Sequence, residues 1–235
     1  MTLAEKLAEF VLRCGQTAYT EGEESLTFHG EISRRVLEQA LTSIPADRRL
    51  SVLDVGCANG FMRELFYGAG YRYYRGVTSR LDDIHTDDPW RKCEGYRDMF
   101  VTFTGCDMHN IALWPKAGKG YDLIWARHIL EHSPIPLFLI ESLRDQMADD
   151  GYLYVEVPSP QTVCLHALNE NHYSCFSREG WFSLFLKAGM KIVQSWDFHV
   201  DIVIGPDEYF CFLLQSASRQ KAATTDDLVA EESAA

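Results

Sequence analysis

Long apolar runs, basic residues and a leader-like start are scarce or absent in this sequence of 235 residues. No apolar run approaches the roughly 20 residues that a membrane-spanning helix requires, so we expect no membrane insertion. The opening residues MTLAEKLAEF lack the basic and apolar regions of a signal peptide, and we therefore expect a cytoplasmic protein. Only 22 basic residues oppose 34 acidic ones, and the formal net charge of −12 disfavours a nucleic-acid partner, whose phosphates must be neutralised.

Disulfide bonds are also not expected. The seven cysteines are an odd number in a chain without a predicted secretion signal, which favours free thiols in a reducing compartment. Apolar residues, by contrast, are plentiful: they make up 46% of the chain, and the mean hydropathy is −0.18. A chain of this length and composition can bury the core of one large α/β domain.

The two ends of the chain differ from its middle. Helical spacing of apolar residues predicts helices over residues 2–13 and 31–44, with a polar, glycine-punctuated loop at 15–30. We interpret residues 1–48 as a helical cap that is part of the same domain as the middle of the chain. The tail at 218–235 is acidic and rich in small residues, and we expect it to be disordered.

The middle of the chain, residues 49–217, predicts strands that alternate with helices. Seven strands are predicted, at 50–56, 73–78, 99–107, 121–128, 151–158, 191–198 and 208–215, and helices at 61–70, 136–148 and 178–188. This alternation indicates an α/β fold with a doubly wound, mostly parallel seven-stranded sheet that helices cover on both faces. The last two strands have no helix between them, so the last is expected to be antiparallel.

The segment RLSVLDVGCANGFMREL (49–65) predicts a strand, a tight glycine loop and a helix. Ligands bind beyond the carboxyl ends of parallel strands, and glycines there let the backbone approach a ligand closely. A dinucleotide is disfavoured because Phe61 is too large for the small residue that its fingerprint requires, and because Asp54 would repel a pyrophosphate. An acid at this position suits a ligand with a positive charge, such as an α-ammonium group.

VLDVGCANG resembles motif I of the class I S-adenosylmethionine-dependent methyltransferases, and later segments follow that family's order. They are GCDMHNI (105–111), YDLIWARHILEHS (121–133), GYLYVEVPSP (151–160) and NHYSCFSREGWFSLFLKAGMKIV (171–193). Several ordered motifs are far more specific than one glycine loop. The resemblance implies the Rossmann-like methyltransferase fold, of the small-molecule type, with S-adenosylmethionine as cofactor.

The resemblance also implies roles for individual residues. Asp54 would orient the methionine end of the cofactor, Asp107 would accept a hydrogen bond from the adenine amino group, and Arg127 would pass near the sulfonium. The implied cofactor-binding residues are Asp54, Gly56, Cys57, Ala58, Gly60, Phe61, Thr78, Ser79, Asp107, Met108 and Arg127. Asp54 and Asp107 are also typical of turns and helix caps, and that alternative stays open.

One position departs from the family pattern. The family usually has an acid at the end of the second strand, where it binds both ribose hydroxyls, whereas this sequence has Thr78 there. Either the hydroxyls of Thr78 and Ser79 bind the ribose, or Asp82 reaches back to it. Threonine is also an ordinary strand residue.

Histidines that follow the predicted fourth and fifth strands are the candidate catalytic residues. A hydroxyl acceptor needs a base because its pKa lies far above neutral, and histidine is the usual base near pH 7. The candidates are His132, His172 and His128, with Glu131 and Tyr173 beside them. The same residues could instead cap a helix, face solvent or support the scaffold.

We predict no metal site. Two cysteines and two histidines occur in CLH (164–166) and HYSC (172–175), but their spacing fits no common structural zinc pattern. Buried free cysteine is ordinary in proteins.

These features predict an S-adenosylmethionine-dependent methyltransferase whose acceptor is a small molecule, with a hydroxyl of a sugar, a lipid-linked or a natural-product intermediate as the methylated group. Tyr19, Phe28, His29 and Trp90 would shape a pocket for such an acceptor or pack the cap against the sheet. The alternatives are a catalytically inactive methyltransferase-like binding or regulatory protein, which Thr78 supports, and a protein or RNA methyltransferase. The sequence predicts no oligomeric state.

Overall fold

The structure is a computed structural model that describes residues 1–15, 23–79, 99–202 and 205–217, without the side chains of residues 8, 11–15 and 23–29. Its helices are α1 (Leu3–Gly15), α2 (Glu23–Leu41), α3 (Met62–Gly68), α4 (Pro136–Arg144) and α5 (Arg178–Lys187). Its strands are β1 (Ser51–Val55), β2 (Tyr73–Thr78), β3 (Phe100–Gly105), β4 (Tyr121–Arg127), β5 (Met147–Pro158), β6 (Met190–Ile202) and β7 (Gly205–Ser216). Short 3₁₀ turns lie at Ala46–Arg48, Ile111–Leu113, Leu130–His132 and His166–Leu168.

The seven strands form one sheet in the order β3-β2-β1-β4-β5-β7-β6. β7 runs antiparallel to β5 and β6, and the other neighbouring pairs are parallel. This confirms the predicted doubly wound, mostly parallel sheet with an antiparallel last strand. The winding direction reverses between β1 and β4, because β2 and β3 lie on one side of β1 and the later strands lie on the other.

Helices cover both faces of the sheet. Successive strand residues point to opposite faces, so that Leu53 and Val55 of β1 pack on one side and Val52 on the other. On the first side α4 and α5 contribute buried side chains, including Leu139, Ile140, Leu143, Trp181 and Phe185. On the second side the contributors from α2 and α3 include Ile32, Val36, Leu37, Met62 and Phe66. Burying each such side chain stabilises the fold by roughly 1.5–3 kcal/mol.

One predicted loop is helical in the structure. α2 begins at Glu23, so the predicted loop at 15–30 is wrong over its second half. The stretch EESLTFHG lacks proline and begins with two acids, which interact favourably with the positive end of a helix. Its continuation is held on the sheet by the buried side chains of Ile32 and Val36, and this packing outweighs the weak helix propensity of Gly30.

Some predicted features lie outside the described residues. They are Tyr19, Asp82, Trp90, the side chains of Phe28 and His29, and the tail at 218–235. The division into a cap over 1–48 and a domain over 49–217 stays a prediction. Among the helices of the described segments, none is both long and apolar enough to cross a bilayer.

Gly56 follows β1 in a conformation that other residues rarely adopt. Its φ is +76°, and its N–H donates to the Val77 carbonyl oxygen at 2.8 Å, which joins the loop to β2. A Cβ atom at this position would collide with the side chain of Ile129. Glycine is therefore required here by backbone conformation and by internal packing.

We predict that Gly56→Ala lowers the free energy of unfolding by about 1–3 kcal/mol, because it adds strain at positive φ and displaces Ile129. The matched control is Gly68→Ala in α3, where a Cβ meets no atom within 4 Å; it should leave stability unchanged or raise it by up to about 1 kcal/mol. Urea unfolding of both variants checks this. Equal effects at the two positions would contradict it.

Candidate functional site

A cleft opens where the winding of the sheet reverses, beyond the carboxyl ends of β1 and β4. Open α/β sheets bind ligands at such a switch point. The residues that line the cleft are Asp54, Gly56, Cys57, Phe61, Met62, Trp125 and Arg127. Five of the predicted cofactor-binding residues are therefore brought together here.

Asp54 is the buried acid of this cleft, with 3% of its surface exposed. The Tyr74 hydroxyl donates a hydrogen bond to Asp54 Oδ2 at 2.6 Å. Burial raises the pKa of Asp54 to about 7, although the hydrogen bond from Tyr74 and the charge of Arg127 oppose the shift. A cation placed beside this carboxyl group would favour its ionised form, so the site is suited to a ligand with a positive group.

The glycine loop after β1 is fixed by its own hydrogen bonds. The N–H groups of Gly56 and Cys57 both donate to Val77 O, and the Gly60 N–H donates to Cys57 O at 2.7 Å. Ala58 has a positive φ of 46°. These three N–H groups are thus engaged within the protein, and they do not point to a bound anion in the way a phosphate-binding loop does.

The ribose contact remains a prediction, and the structure locates two of its candidates. Thr78 is buried at the end of β2, and the neighbouring Ser79 is exposed. The Thr78 carbonyl oxygen accepts a hydrogen bond from the Cys106 N–H at 2.9 Å, which holds the segment before Asp107 against the end of β2. Thr78, a candidate for the ribose contact, and Asp107, the candidate for the adenine contact, are therefore neighbours.

Asp107 begins a chain of side-chain hydrogen bonds. Its Oδ1 accepts from the backbone N–H of His109 at 2.8 Å and lies 2.9 Å from His109 Nδ1, while His109 Nε2 lies 2.8 Å from the hydroxyl of Ser133. Burial would raise the pKa of Asp107, but the bonds from His109 outweigh it and lower the pKa below its usual value. Asp107 is thus an ionised acceptor held in one orientation, and Met108 beside it packs against the core.

A network of buried charges joins the ends of β4 and β5. Glu156 is fully buried, and its Oε1 lies 2.8 Å from Arg127 Nε and 3.0 Å from His128 Nε2. Its Oε2 accepts a hydrogen bond from the Tyr154 hydroxyl at 2.7 Å. On the other side of the imidazole, His128 Nδ1 lies 3.2 Å from Oε1 of the buried Glu131. Two carboxylates therefore face one guanidinium and one imidazole.

The network determines which of these groups are ionised. Burial opposes the charge of Glu156, but Arg127, His128 and Tyr154 outweigh it and lower the pKa of Glu156 to about 2. Burial and Arg127 disfavour a charged His128, yet the hydrogen bonds to Glu131 and Glu156 raise its pKa to about 9. An imidazole that is protonated at neutral pH is poorly suited to act as a base, and this argues against the catalytic role predicted for His128.

His132 and His172 lie against each other, with ring centroids 4.9 Å apart. His132 Nδ1 is 2.9 Å from the carbonyl oxygen of Asn171, and His172 Nδ1 is 2.9 Å from that of His166. Because a carbonyl oxygen only accepts, the proton of each neutral ring lies on Nδ1 and the lone pair of that ring on Nε2. The structure thus brings two of the three predicted catalytic histidines together, and it places His128 in the charge network instead.

Glu156, Tyr74, His109 and Ser133 were missed by the sequence prediction. Glu156 had a signal, since it is the one acid within the apolar stretch GYLYVEVP. His109 and Tyr74 had none, because a histidine two residues after an aspartate and a tyrosine in a strand are both common. Only the folded chain brings Tyr74 to Asp54 and Ser133 to His109.

Known proteins resemble this chain in sequence. Residues 5–195 match a protein-family model described as "Methyltransferase domain". Trans-aconitate 2-methyltransferase from Agrobacterium fabrum is 28% identical over 148 residues, covering 61% of this chain and 54% of that protein. (S)-coclaurine N-methyltransferase from Thalictrum flavum is 26% identical over 151 residues, covering 63% of this chain and 38% of that protein. The chain thus spans about half the length of the first of these relatives and less of the second.

Solved structures share the fold. A SAM-dependent methyltransferase from Leishmania major aligns with a TM-score of 0.64 at 14% identity, covering 88% of this chain and 82% of that one. The [4+2]-cyclase SpnF aligns with a TM-score of 0.56 at 15% identity, covering 71% and 75%. Because one is named a methyltransferase and the other a cyclase, this likeness establishes the fold and leaves the reaction to be argued from the site.

We predict that Glu156→Gln lowers the free energy of unfolding at pH 7 by about 3–5 kcal/mol, because it leaves Arg127 without its buried counter-ion and His128 with Glu131 alone. The folded-state pKa of Glu156 is depressed to about 2, so its stabilising effect is present above pH 4.5 and is lost as the pH falls towards 2. The difference between wild type and variant should therefore narrow on acidification.

Urea unfolding at several pH values between 3 and 7 measures that difference. Asp201→Asn, which removes an exposed acid on β6, is the matched control and should change stability little at any pH. A pH-independent effect of Glu156→Gln would show that the carboxylate charge is not what stabilises the network.

Proposed function

The chain belongs to the methyltransferase-domain family, whose cofactor is S-adenosylmethionine, and from this premise we propose that it transfers the cofactor's methyl group to a hydroxyl oxygen of a small organic acceptor. The observation that carries the acceptor chemistry is the pair His132 and His172. Both imidazoles are held by backbone carbonyls in the tautomer whose Nε2 accepts a proton. A hydroxyl needs such an acceptor for its proton before it can attack a methyl group.

The residues of the cleft fit this cofactor. A buried acid, Asp54, faces the cleft where a positive α-ammonium group would be held, and its pKa of about 7 makes it responsive to a cation. Asp107 is an ionised acceptor, as an adenine amino group requires, and Thr78 lies between the two in the sheet order. When bound, S-adenosylmethionine supplies a methyl group on a positively charged sulfur, which is a good leaving group.

The roles of the chain's own residues follow from this arrangement. Asp54 and the loop at 56–61 position the methionine end, and the buried pair Arg127–Glu156 forms the adjoining wall without adding net charge. With the cofactor bound, His132 or His172 would take the proton of the acceptor hydroxyl as its oxygen receives the methyl group. Positioning and exclusion of water supply much of the acceleration of such a displacement.

Two further observations support a small acceptor. Both curated relatives are named for small organic substrates, trans-aconitate and (S)-coclaurine, although one of them is an N-methyltransferase. The net charge of −12 also disfavours an RNA acceptor.

We predict that S-adenosylhomocysteine binds more tightly as the pH rises from 6 to 8, by up to about tenfold per unit below pH 7, because Asp54 must be ionised to hold the α-ammonium group. Asp54→Asn should weaken binding about 10- to 100-fold and remove this pH dependence. Isothermal titration calorimetry at pH 6, 7 and 8 measures both effects.

The same variant should be more stable than wild type in the absence of cofactor. The pKa of Asp54 is raised on folding from 3.8 to about 7, so the wild type loses stability as the pH rises through this range, and asparagine avoids the loss. We expect a gain of roughly 1–3 kcal/mol at pH 8. A variant that is both less stable and still able to bind would contradict the role of Asp54.

We predict that His132→Asn and His172→Asn lower the rate of hydroxyl methylation by about 10²- to 10⁴-fold for at least one of the two positions, without changing the affinity for S-adenosylhomocysteine. Release of S-adenosylhomocysteine from a panel of hydroxyl, carboxyl and amine acceptors measures the rate. If the cofactor product does not bind near physiological concentration, the proposed activity fails. If S-adenosylhomocysteine binds but only amines are methylated, the proposal of an oxygen acceptor is wrong.

A further inference from the structure

Three potential metal ligands meet beside the charge network. A carboxylate oxygen of Glu131, a ring nitrogen of His132 and a ring nitrogen of His172 all lie within 4.8 Å of one another. Glu131 is buried, with 1% of its surface exposed, whereas the two histidines are half-buried. The cluster therefore has a closed side and a side that reaches the surface.

Both imidazoles present the atom that a metal ion needs. The Nδ1 atoms of His132 and His172 are hydrogen-bonded to the carbonyl oxygens of Asn171 and His166. In the neutral rings this leaves the lone pair on Nε2. Histidines that bind metals almost always donate their other ring N–H to a carbonyl or a carboxylate, because that bond fixes the tautomer and the ring orientation. His132 and His172 both have this arrangement.

The third ligand is oriented in the same way. Glu131 Oε1 is held by His128 Nδ1 at 3.2 Å, and Glu131 Oε2 is buried without a hydrogen-bond partner among the residues that the structure describes. A buried carboxylate oxygen without a partner is unusual, since buried polar atoms are nearly always satisfied. A cation placed between Glu131 and the two histidines would satisfy it.

The two segments that carry these ligands are joined by their backbones. The N–H groups of Tyr173 and Ser174 both donate to the Glu131 carbonyl oxygen, at 2.8 and 3.0 Å. The Ser174 hydroxyl donates to the Ser133 carbonyl oxygen at 2.7 Å. The ligands are thus held in place by hydrogen bonds that do not involve the ligand atoms. The ligand atoms, all within 4.8 Å of one another, are close to the spacing of roughly 3–4 Å between atoms that share a metal ion about 2.1 Å away.

A second cluster nearby lacks these features. Cys164, His166 and Asp207 also lie within 4.8 Å of one another. However, His166 Nε2 is already 3.0 Å from Asp207 Oδ1, and Asp207 Oδ2 accepts from the Tyr209 hydroxyl at 2.7 Å. His166 and Asp207 are thus already hydrogen-bonded to each other and to Tyr209.

We propose that Glu131, His132 and His172 form a mononuclear site for a divalent transition metal, of which Zn²⁺ is the representative, with a coordination position open on the side of the half-buried histidines. Two imidazoles and one carboxylate suit such an ion, and three protein ligands leave room for a further oxygen ligand. The role in catalysis rests on the proposed function: with the ion bound, Nε2 of both histidines would be occupied, and the ion would activate the acceptor hydroxyl in their place, its proton passing to solvent. The binding of metal does not rest on it.

The test is titration of the chelator-treated full chain with ZnCl₂ by calorimetry, and with CoCl₂ by visible absorption. One equivalent should bind with a dissociation constant in the micromolar range or below. His132→Ala, His172→Ala and Glu131→Gln should each weaken binding about 100-fold or more. The matched control is His199→Ala, which removes an exposed histidine on β6 and should leave binding unchanged.

Circular dichroism and S-adenosylhomocysteine binding show that each variant is folded. If folded wild type binds no Zn²⁺ at 100-fold excess, or if binding survives in all three variants, the metal site is wrong. Loss of binding in His199→Ala would also overturn it. S-adenosylhomocysteine binding is measured separately, so the two proposals can fail independently. If S-adenosylhomocysteine binds and Zn²⁺ does not, the metal site is wrong and the proposed methyl transfer stands. If Zn²⁺ binds and S-adenosylhomocysteine does not, the proposed methyl transfer is wrong and the metal site stands.

Discussion

The buried carboxylate of Glu156 is the constraint on which the site depends. It lies directly opposite Arg127 in the pairing of β4 with β5, and it also holds His128, whose backbone N–H donates to the Glu156 carbonyl oxygen. His128 has a positive φ of 53°, and this strained residue turns the chain from β4 into the segment that carries Glu131 and His132. Removing the carboxylate would leave Arg127 without a buried counter-ion and His128 with Glu131 alone, and it would remove a side-chain contact that holds His128 at this turn.

The glycine loop shows how packing and binding share the same residues. Gly56 and Gly60 resemble ligand-contacting glycines, yet a Cβ on either would first meet a side chain of the protein: Ile129 in one case and the Phe103 ring at 2.6 Å in the other. The backbone N–H groups of this loop hold the loop against β2. The loop is therefore held close to β2 and to the segment after β4, and Asp54 just before the loop lines the cleft. Close packing of these segments thus determines the shape of the cleft.

The sequence predicted the sheet and most of its elements, because apolar strands and amphipathic helices have periods that a linear reading detects. The family resemblance of two separate motifs grouped Asp54, Gly56, Cys57 and Phe61 with Arg127 as cofactor-binding residues, and these five residues line one cleft. The sequence did not predict the protonation of His128 or the cluster of Glu131 with His172. Both depend on residues about 30 to 40 positions apart that meet only in the folded chain, and cysteine–histidine spacing alone pointed away from a carboxylate ligand.

The two sides of the candidate site share one system of charges. His128 contacts Glu156, which belongs to the wall of the cofactor cleft through Arg127, and it also contacts Glu131, which belongs to the histidine cluster. A positive His128 between two carboxylates favours the ionised form of both. A change of charge at the cluster would therefore alter the electrostatic potential at the cleft through a single shared imidazole, without any movement of the sheet. The sheet positions the cleft, and the turn at His128 positions the cluster of Glu131, His132 and His172 beside it in the charge network.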